Sequence, residues 1–185
     1  FLRFFAYDMR LCEPEVWVED DGQLRIKIED RWQDAIWWEV PLLAMVNELY
    51  AETFTRETGG YSPISCGEEG TRRLYEKISK LAERPQLAFM EFGTRRRFSA
   101  EWQRYVIGEM LRSISRQMSG TSNVLLAKEY SIKPTGTQSH HGPMAYSGIY
   151  DVSDVSMRNS QGYFFRDWWD IYRGPLSIFL TDTFT

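Results

Sequence analysis

Both histidines of the chain, His140 and His141, stand side by side at the end of the segment KPTGTQSHH, residues 133–141. In an extended strand, neighbouring side chains point to opposite faces, so one imidazole could face a pocket while the other faces away. No further histidine or acidic residue lies at metal-ligand spacing from the pair. A metal site is therefore less well supported than catalysis by His140, and a position without chemistry stays open.

Three consecutive arginines, Arg95, Arg96 and Arg97, follow a Gly-Thr pair in the segment EFGTRRR. A guanidinium group is a planar fork that suits a carboxylate or a phosphate. Three successive side chains cannot all face one way, so two could enter a pocket while the third pairs on the surface. The alternative is that all three lie on a solvated turn.

Asp182, in the closing segment LTDTFT, could hold Mg²⁺ or ribose hydroxyls. The alternative is that it caps a helix. Polar segments upstream of it contain Gly-Thr pairs, in which the backbone can come close to a ligand and a hydroxyl can bind it. These pairs are Gly93–Thr94, Gly120–Thr121 and Gly136–Thr137.

Strands and two amphipathic helices are predicted in the first 85 residues. The opening segment FLRFFAYDMR reads as a strand or as chain that enters from upstream. The alternating segment QLRIKIED reads as a half-buried strand. The first helix is predicted over VPLLAMVNELYAETFTRE, where Pro41 suits the first turn, and a break follows at residues 59–63. The second helix is predicted over EEGTRRLYEKISKLAER, with Leu74, Ile78 and Leu81 on its inner side.

Strands and helices are predicted to alternate from residue 86 onward. The apolar run QLAFMEFG is typical of a strand buried on both faces. Ser99 can cap a helix that continues to about Met118 and ends at Gly120. The segment GTSNVLLAKEY is predicted to contain a strand end and a short helix, and SIKPTGTQS is predicted to be extended. A loop and then a helix are predicted between His141 and Tyr172, and LSIFLTD is predicted to be a buried strand.

This alternation predicts a parallel α/β architecture. In a parallel α/β barrel the active site lies at the carboxyl ends of the strands, where the four polar segments would converge. They are EFGTRRR, GTSN, GTQSHH and TDTFT. We treat residues 1–185 as a single incomplete domain, in which residues 1–85 form part of an N-terminal lobe and residues 86–185 part of the barrel.

The amino-acid composition limits the classes of protein to which the chain can belong. Apolar residues make up 43% and charged residues 26% of the chain, as is ordinary for a globular protein. The net charge of −4 offers no general attraction to nucleic acid. No apolar run approaches the length of a membrane span. The two cysteines show no zinc or redox spacing, which favours a reducing compartment, and we expect a cytoplasmic protein.

Five motifs, taken together and in this order, resemble the nicotinate phosphoribosyltransferase family. They are WEVPLLAMVNELY, EFGTRRRFS, GTSNVLLA, GTQSH and LTDTFT. The resemblance implies the central part of that family's chain: an incomplete parallel α/β barrel of the nicotinate/quinolinate phosphoribosyltransferase type, with part of an α+β lobe on its N-terminal side. It also implies that the 185 residues alone are inactive.

The resemblance implies a reaction as well. Nicotinate attacks C1 of 5-phosphoribosyl-1-pyrophosphate, which gives nicotinate mononucleotide and pyrophosphate for NAD biosynthesis, and ATP hydrolysis is coupled through a phosphohistidine. His140 matches the family's histidine after Gly-Thr-x-x, and His141 stands where many relatives carry a glutamate. ATP and Mg²⁺ are the implied cofactors, and a cytoplasmic homodimer is the implied assembly.

The same resemblance implies a set of substrate-binding residues. They are Glu91, Gly93, Thr94, Arg95, Arg96, Ser122, Asn123, Thr137 and Asp182. Ser122 matches the position where nicotinamide-specific relatives carry an acid, which predicts preference for nicotinate. The alternative for Ser122 is a helix cap near Asn123. Asp182 matches a carboxylate near the ribose and a possible Mg²⁺.

Two rival interpretations stay open. The chain could be a truncated, non-catalytic remnant or a partner-binding subunit of the same fold. It could also belong to another phosphoribosyl-handling barrel that uses a different base.

Overall fold

The computed structural model describes residues 12–58, 67–151 and 153–184. This part of the chain is a mixed α/β structure of helices and small sheets. It forms two compact units, one ending at Ser119 and the other beginning at Gly120. The boundary near residue 85 and the partial barrel stay predictions. The predicted strand in FLRFFAYDMR and the predicted break at residues 59–63 lie outside the described residues.

The first unit opens with an antiparallel hairpin. Strand β1 (Glu15–Val18) pairs with β2 (Leu24–Lys27), which confirms the strand predicted in QLRIKIED at a shorter length. Helix α1 (Trp32–Ala35) and a 3-10 turn (Ile36–Trp38) follow. They lead directly into the next helix, which lies beside the candidate site.

Both long helices predicted in this unit are confirmed. Helix α2 is Glu39–Thr58 and helix α3 is Gly67–Ala82. On α3, Leu74 and Ile78 are buried, and Leu81 is partly buried against the same core. Trp102 and Ile114, which are buried on the following helix, complete this core.

Strand β3 is limited to Phe89–Glu91. The prediction of a strand buried on both faces was wrong, since Leu87 and Phe92 are 44% and 46% exposed. Among the described residues β3 pairs only with β4, and within it Met90 is 36% exposed while Phe89 packs against the core. Helix α4 (Ala100–Ile114) follows, and the predicted cap is confirmed because Ser99 Oγ accepts a hydrogen bond from Trp102 N at 2.9 Å.

Helix α4 ends at Ile114, so the predicted continuation to Met118 was wrong. The chain turns at Gln117, whose backbone N–H donates to Ile114 O at 3.0 Å. Gln117 O then accepts from Phe89 N at 2.8 Å, which brings the following residues alongside β3. Met118 therefore begins strand β4 (Met118–Thr121), and Gly120 lies in that strand rather than at a helix end.

In the second unit, the end of β4 meets an extended segment in a parallel bridge between Thr121 and Pro134. The two backbones approach so closely that a Cβ at Gly120 would lie 2.3 Å from Lys133 O. Glycine is therefore required there. Helix α5 (Val124–Glu129) connects the two segments, as predicted.

Two helices follow where the sequence predicted a loop and one helix. Helix α6 is His141–Ile149 and helix α7 is Asp154–Tyr172. The predicted helix with Phe164, Trp168 and Tyr172 is confirmed as α7, but helix α6 occupies the beginning of the stretch that was predicted as a loop. The helices pack at Gly142, where an added Cβ would lie 2.3 Å from Phe164 Cζ.

The predicted closing strand LSIFLTD is not formed in the described residues. A 3-10 turn (Gly174–Leu176) precedes an irregular, half-buried segment. One backbone bond, from Gln138 N to Ile178 O at 3.1 Å, and one side-chain bond, from Gln138 Nε2 to Leu180 O at 3.0 Å, tie it to the segment before His140. This contact places the end of the chain beside the histidine.

Candidate active site

The arginine turn lies directly after β3 in the first unit. A 3-10 turn at Thr94–Arg96 begins after Gly93, and Arg96 N donates to Gly93 O at 3.1 Å. Helix α2 holds the turn from one side, since Asn47 Nδ2 donates to Arg95 O at 3.1 Å. The short strand and the tight turn together present the arginines at the carboxyl end of β3.

The three arginine side chains diverge. Arg95 forms an ion pair with Glu39 on α2. Arg97 is half-buried, and its Nη2 lies 3.3 Å from Glu48 Oε2. Arg96 is exposed and lines a cavity. The turn therefore commits Arg95 and Arg97 to carboxylates on α2 and leaves the Arg96 guanidinium toward the cavity.

The cavity has a volume of about 350 Å³ and combines cationic with aromatic walls. Its cationic lining is Arg73, Lys77, Arg96 and Arg97, and its aromatic lining includes Phe98 and Trp102. Glu91 and Gly93, both predicted site residues, also line it, whereas Arg95 and Thr94 do not. A small anion with an apolar body fits this lining.

A buried glutamine connects the predicted residues of the turn. Gln103 Nε2 donates to Thr94 Oγ1 at 2.9 Å and lies 3.2 Å from each carboxylate oxygen of Glu91. Its Oε1 accepts from Arg97 Nη1 at 3.4 Å. The sequence alone did not single out Gln103, because its place on an amphipathic helix gives no sign of a contact with a turn.

In the second unit, His140 and Asp182 lie together although 42 positions separate them. His140 Nε2 is 2.9 Å from Asp182 Oδ1, and both side chains are partly exposed. The hydrogen bond from His140 holds the pKa of the Asp182 carboxyl below its ordinary value. Asp182 thus contacts the imidazole, which the sequence did not predict.

Helix α6 fixes where the two histidines stand. His140 is its N-cap residue and His141 its first helical residue, and His140 O accepts from Met144 N at 3.1 Å. His140 and His141 are therefore not strand neighbours on opposite faces. No cap bond is made by the His140 side chain, which leaves its imidazole for Asp182.

Ser122 and Asn123 begin the connection between β4 and α5. Asn123 Oδ1 accepts from Leu126 N at 3.1 Å, so Asn123 is the N-cap and the alternative that Ser122 caps this helix was wrong. Ser122 is half-buried. Thr137 is also half-buried and directly precedes Gln138. Whether these three residues bind substrate stays a prediction.

The described residues contain no cluster of three or more His, Cys, Asp or Glu side chains that could hold a metal ion. In the part of the chain that the structure describes, the carboxylate predicted for Mg²⁺, Asp182, contacts the His140 imidazole. Within the same described ranges, none of the helices has the length and apolarity needed to cross a membrane.

Comparisons with known proteins agree on one family. The sequence profile described as "Nicotinate phosphoribosyltransferase (NAPRTase) family" matches residues 87–185. The nicotinate phosphoribosyltransferases of Neisseria meningitidis and Neisseria gonorrhoeae are each 37% identical to 98% of this chain. The chain covers 44% of the length of each of these relatives.

Solved structures give the same result. The crystal structure of nicotinate phosphoribosyltransferase from Porphyromonas gingivalis matches 94% of this chain with a TM-score of 0.72 and 26% identity, over 42% of its own length. That of the Vibrio cholerae protein matches 85% of this chain with a TM-score of 0.65 and 28% identity, over 36% of its own length. Both share the mixed α/β fold described above.

Proposed function

The chain belongs to the nicotinate phosphoribosyltransferase family, and from this premise we propose that the whole protein converts nicotinate and 5-phosphoribosyl-1-pyrophosphate to nicotinate mononucleotide and pyrophosphate. We also propose that ATP hydrolysis is coupled to this reaction and that the product enters NAD biosynthesis. The observation that carries the proposal is the contact between His140 and Asp182, 2.9 Å apart, inside the matched region.

In the proposed reaction, the pyridine nitrogen of nicotinate forms a bond to C1 of the ribose. The bond from C1 to the pyrophosphate oxygen breaks, and its electron pair leaves with pyrophosphate. Positive charge develops on the ribose and negative charge on the leaving group, so cationic side chains stabilise departure. The position of Arg96 supports such stabilisation of the leaving group, since Arg96 lines a cavity with other cationic residues. Holding two substrates in place contributes up to about 7–11 kcal/mol.

His140 is proposed to carry the phosphoryl group. When Nε2 carries the proton and donates it to Asp182, the lone pair of a neutral imidazole lies on Nδ1. Nδ1 then attacks the γ-phosphorus of ATP, an N–P bond forms, and the bond from γ-phosphorus to the bridging oxygen breaks as ADP leaves. Asp182 stabilises the proton that remains on Nε2.

Mg²⁺ is usually held by one or two carboxylates together with substrate phosphates, so a single exposed carboxylate fits a shared site. Asp182 would hold it through the oxygen that does not contact His140. When bound, the ion would neutralise charge on the phosphates. Asp182 is also the residue proposed to lie near the ribose.

We place the described elements in an incomplete parallel α/β barrel with part of an N-terminal lobe. The parallel bridge between Thr121 and Pro134 supports this, as do the TM-scores of 0.72 and 0.65 with solved nicotinate phosphoribosyltransferases. A cytoplasmic homodimer is the corresponding proposal for the assembly. No general binding of nucleic acid is proposed.

The proposal is tested by incubating the full-length protein with nicotinate and phosphoribosyl pyrophosphate, with and without ATP, and measuring nicotinate mononucleotide by mass spectrometry. We expect product in both cases and more product with ATP. Absence of product in both would overturn the proposal in favour of a non-catalytic or partner-binding protein. Product from nicotinamide or quinolinate but not nicotinate would favour a barrel with another base.

A further inference from the structure

The side chain of Gln103 contacts the arginine turn from the core. This side chain is buried, at 3% exposure, and lines the cavity. Its amide contacts the Glu91 carboxylate, the Thr94 hydroxyl and the Arg97 guanidinium. One buried amide therefore joins the end of β3 to both ends of the turn.

The charged groups on either side of the Gln103 amide, Glu91 and Arg97, fix which way the amide is oriented. The Glu91 carboxylate can only accept and the Arg97 guanidinium can only donate hydrogen bonds. The NH₂ group therefore faces Glu91 and the oxygen faces Arg97, as their distances of 3.2 Å and 3.4 Å show. A reversed amide would set like partial charges against each other on both sides.

The N–H groups of the Gln103 amide also reach the beginning of the turn, at Thr94, and the strand before it. One N–H of the amide donates to Thr94 Oγ1, and the other is shared by the two oxygens of Glu91. Because Thr94 Oγ1 accepts this bond, the same amide that contacts Arg97 at the end of the turn also fixes its beginning.

We infer that Gln103 is a positioning residue that fixes the arginine turn and thereby holds Arg96 toward the cavity, where an anionic substrate group would bind. This inference rests on the proposed function. It predicts that loss of Gln103 raises KM more than it lowers kcat, since the turn contributes to binding.

The main test replaces Gln103 by glutamate in the full-length protein. Gln103→Glu keeps the shape but sets a second carboxylate beside Glu91, so the pair holds a shared proton with a raised pKa. At high pH the added charge should raise KM and the Kd for nicotinate or phosphoribosyl pyrophosphate by about tenfold or more. Both constants should recover as the pH falls through the raised pKa of the pair, because the proton removes that charge.

Two further variants separate positioning from stability. Gln103→Met fills the same space without hydrogen bonds, and its KM should be raised at every pH. Gln117→Glu is the matched control, because Gln117 is also a buried glutamine, and its Nε2 donates to Leu81, Arg84 and Leu87 carbonyls instead of the turn. It should lower thermal stability and leave KM and the pH profile as in the wild type.

Wild-type KM with a wild-type pH profile in both Gln103 variants would overturn the inference. An equal rise of KM in Gln117→Glu would also overturn it, since the effect would then follow from stability. Failure of the proposed function is distinguished by the wild type: a protein that binds nicotinate in calorimetry without forming product would refute the reaction. The same titrations would still measure the role of Gln103.

Discussion

At the residue scale, the contact between His140 and Asp182 determines which nitrogen of the imidazole can react. Asp182 occupies the Nε2 side, and its own pKa is lowered because His140 donates to it. A carboxylate that stays ionised holds the proton on Nε2 and leaves Nδ1 as the nucleophile. His141 is the first residue of α6.

The first prediction is therefore that ATP phosphorylates His140 at Nδ1. Acid-labile phosphate should be lost in His140→Ala and retained in His141→Ala, and ³¹P–¹H NMR should place the phosphorus on Nδ1. Asp182→Asn should slow labelling about 10²-fold or more, within the range for a positioned proton-transfer group. Label retained in His140→Ala would contradict the assignment.

The second prediction concerns the arginine turn. Replacing Arg96, which lines the cavity, by lysine should weaken binding of anionic substrates by about 1.5–3 kcal/mol, since lysine keeps the charge but not the fork. The same change at Arg95 should weaken binding less, because Arg95 forms an ion pair with Glu39. Arg97→Lys should mainly lower thermal stability, because Arg97 contacts Gln103 and Glu48. Titration calorimetry measures substrate binding and thermal unfolding measures stability, and both are compared among the three variants. Equal, small effects on binding would favour a solvated turn.

The third prediction is that Ser122 sets the preference for nicotinate over nicotinamide. Asn123 caps α5, so the Ser122 hydroxyl is not needed for the helix. An aspartate would face the substrate carboxylate, and like charges at about 4 Å repel by roughly 4 kcal/mol at an effective dielectric of about 20. Ser122→Asp should lower the acid-to-amide ratio of kcat/KM at least about tenfold.

Ser122→Asn is the neutral control for this substitution and should keep the ratio within a few-fold of the wild type. An unchanged ratio in a folded Ser122→Asp variant would show that Ser122 does not set specificity.

At the element scale, α4 connects the site to its support. Its N-terminal half carries the Ser99 cap and Gln103, which hold the arginine turn. Further along, it meets α3 through a polar contact, in which Tyr75 OH donates to Glu109 Oε2 at 2.9 Å and lies 3.4 Å from Tyr105 OH. A change in packing between α3 and α4 would therefore reach the cavity, which both helices line.

The fourth prediction is a pH effect at this contact. The hydrogen bonds with Tyr105 and then Glu109 raise the pKa of Tyr75 to about 12. Because the folded pKa lies above the unfolded one, the stabilisation is complete below about pH 10 and is lost as the pH rises through about 12. Absorbance at 295 nm should show a late-titrating tyrosine that Tyr105→Phe returns toward its ordinary range. An unchanged titration in that variant would contradict the contact.

At the scale of the whole molecule, features set by local sequence could be predicted and features set by distant contacts could not. The helices α2 and α3 and the Ser99 cap follow from apolar spacing and cap chemistry. The end of α4 does not, because it depends on Gln117 O accepting from Phe89 N. The contact between His140 and Asp182 depends in the same way on a distant backbone pairing.

Other errors have specific physical causes. Helix α6 was missed because it begins with His-His-Gly-Pro and makes no side-chain cap bond. The closing apolar segment has strand composition, but strand formation needs a continuous hydrogen-bonded neighbour. In the described residues its backbone partner is Gln138, through one backbone bond. The arginine turn was located correctly by sequence, whereas Gln103 was missed because nothing in its local pattern indicates a contact with that turn.

In the proposed mechanism, His140 couples ATP to the synthesis of nicotinate mononucleotide. The most direct measurement is the ratio of ADP to nicotinate mononucleotide formed by the full-length protein, for the wild type and for His140→Ala under the same saturating conditions. Coupling through His140 predicts ADP formation in proportion to product in the wild type, and loss of that ADP formation in the variant while nicotinate binding is retained. ADP formed in the same proportion by His140→Ala would contradict the account.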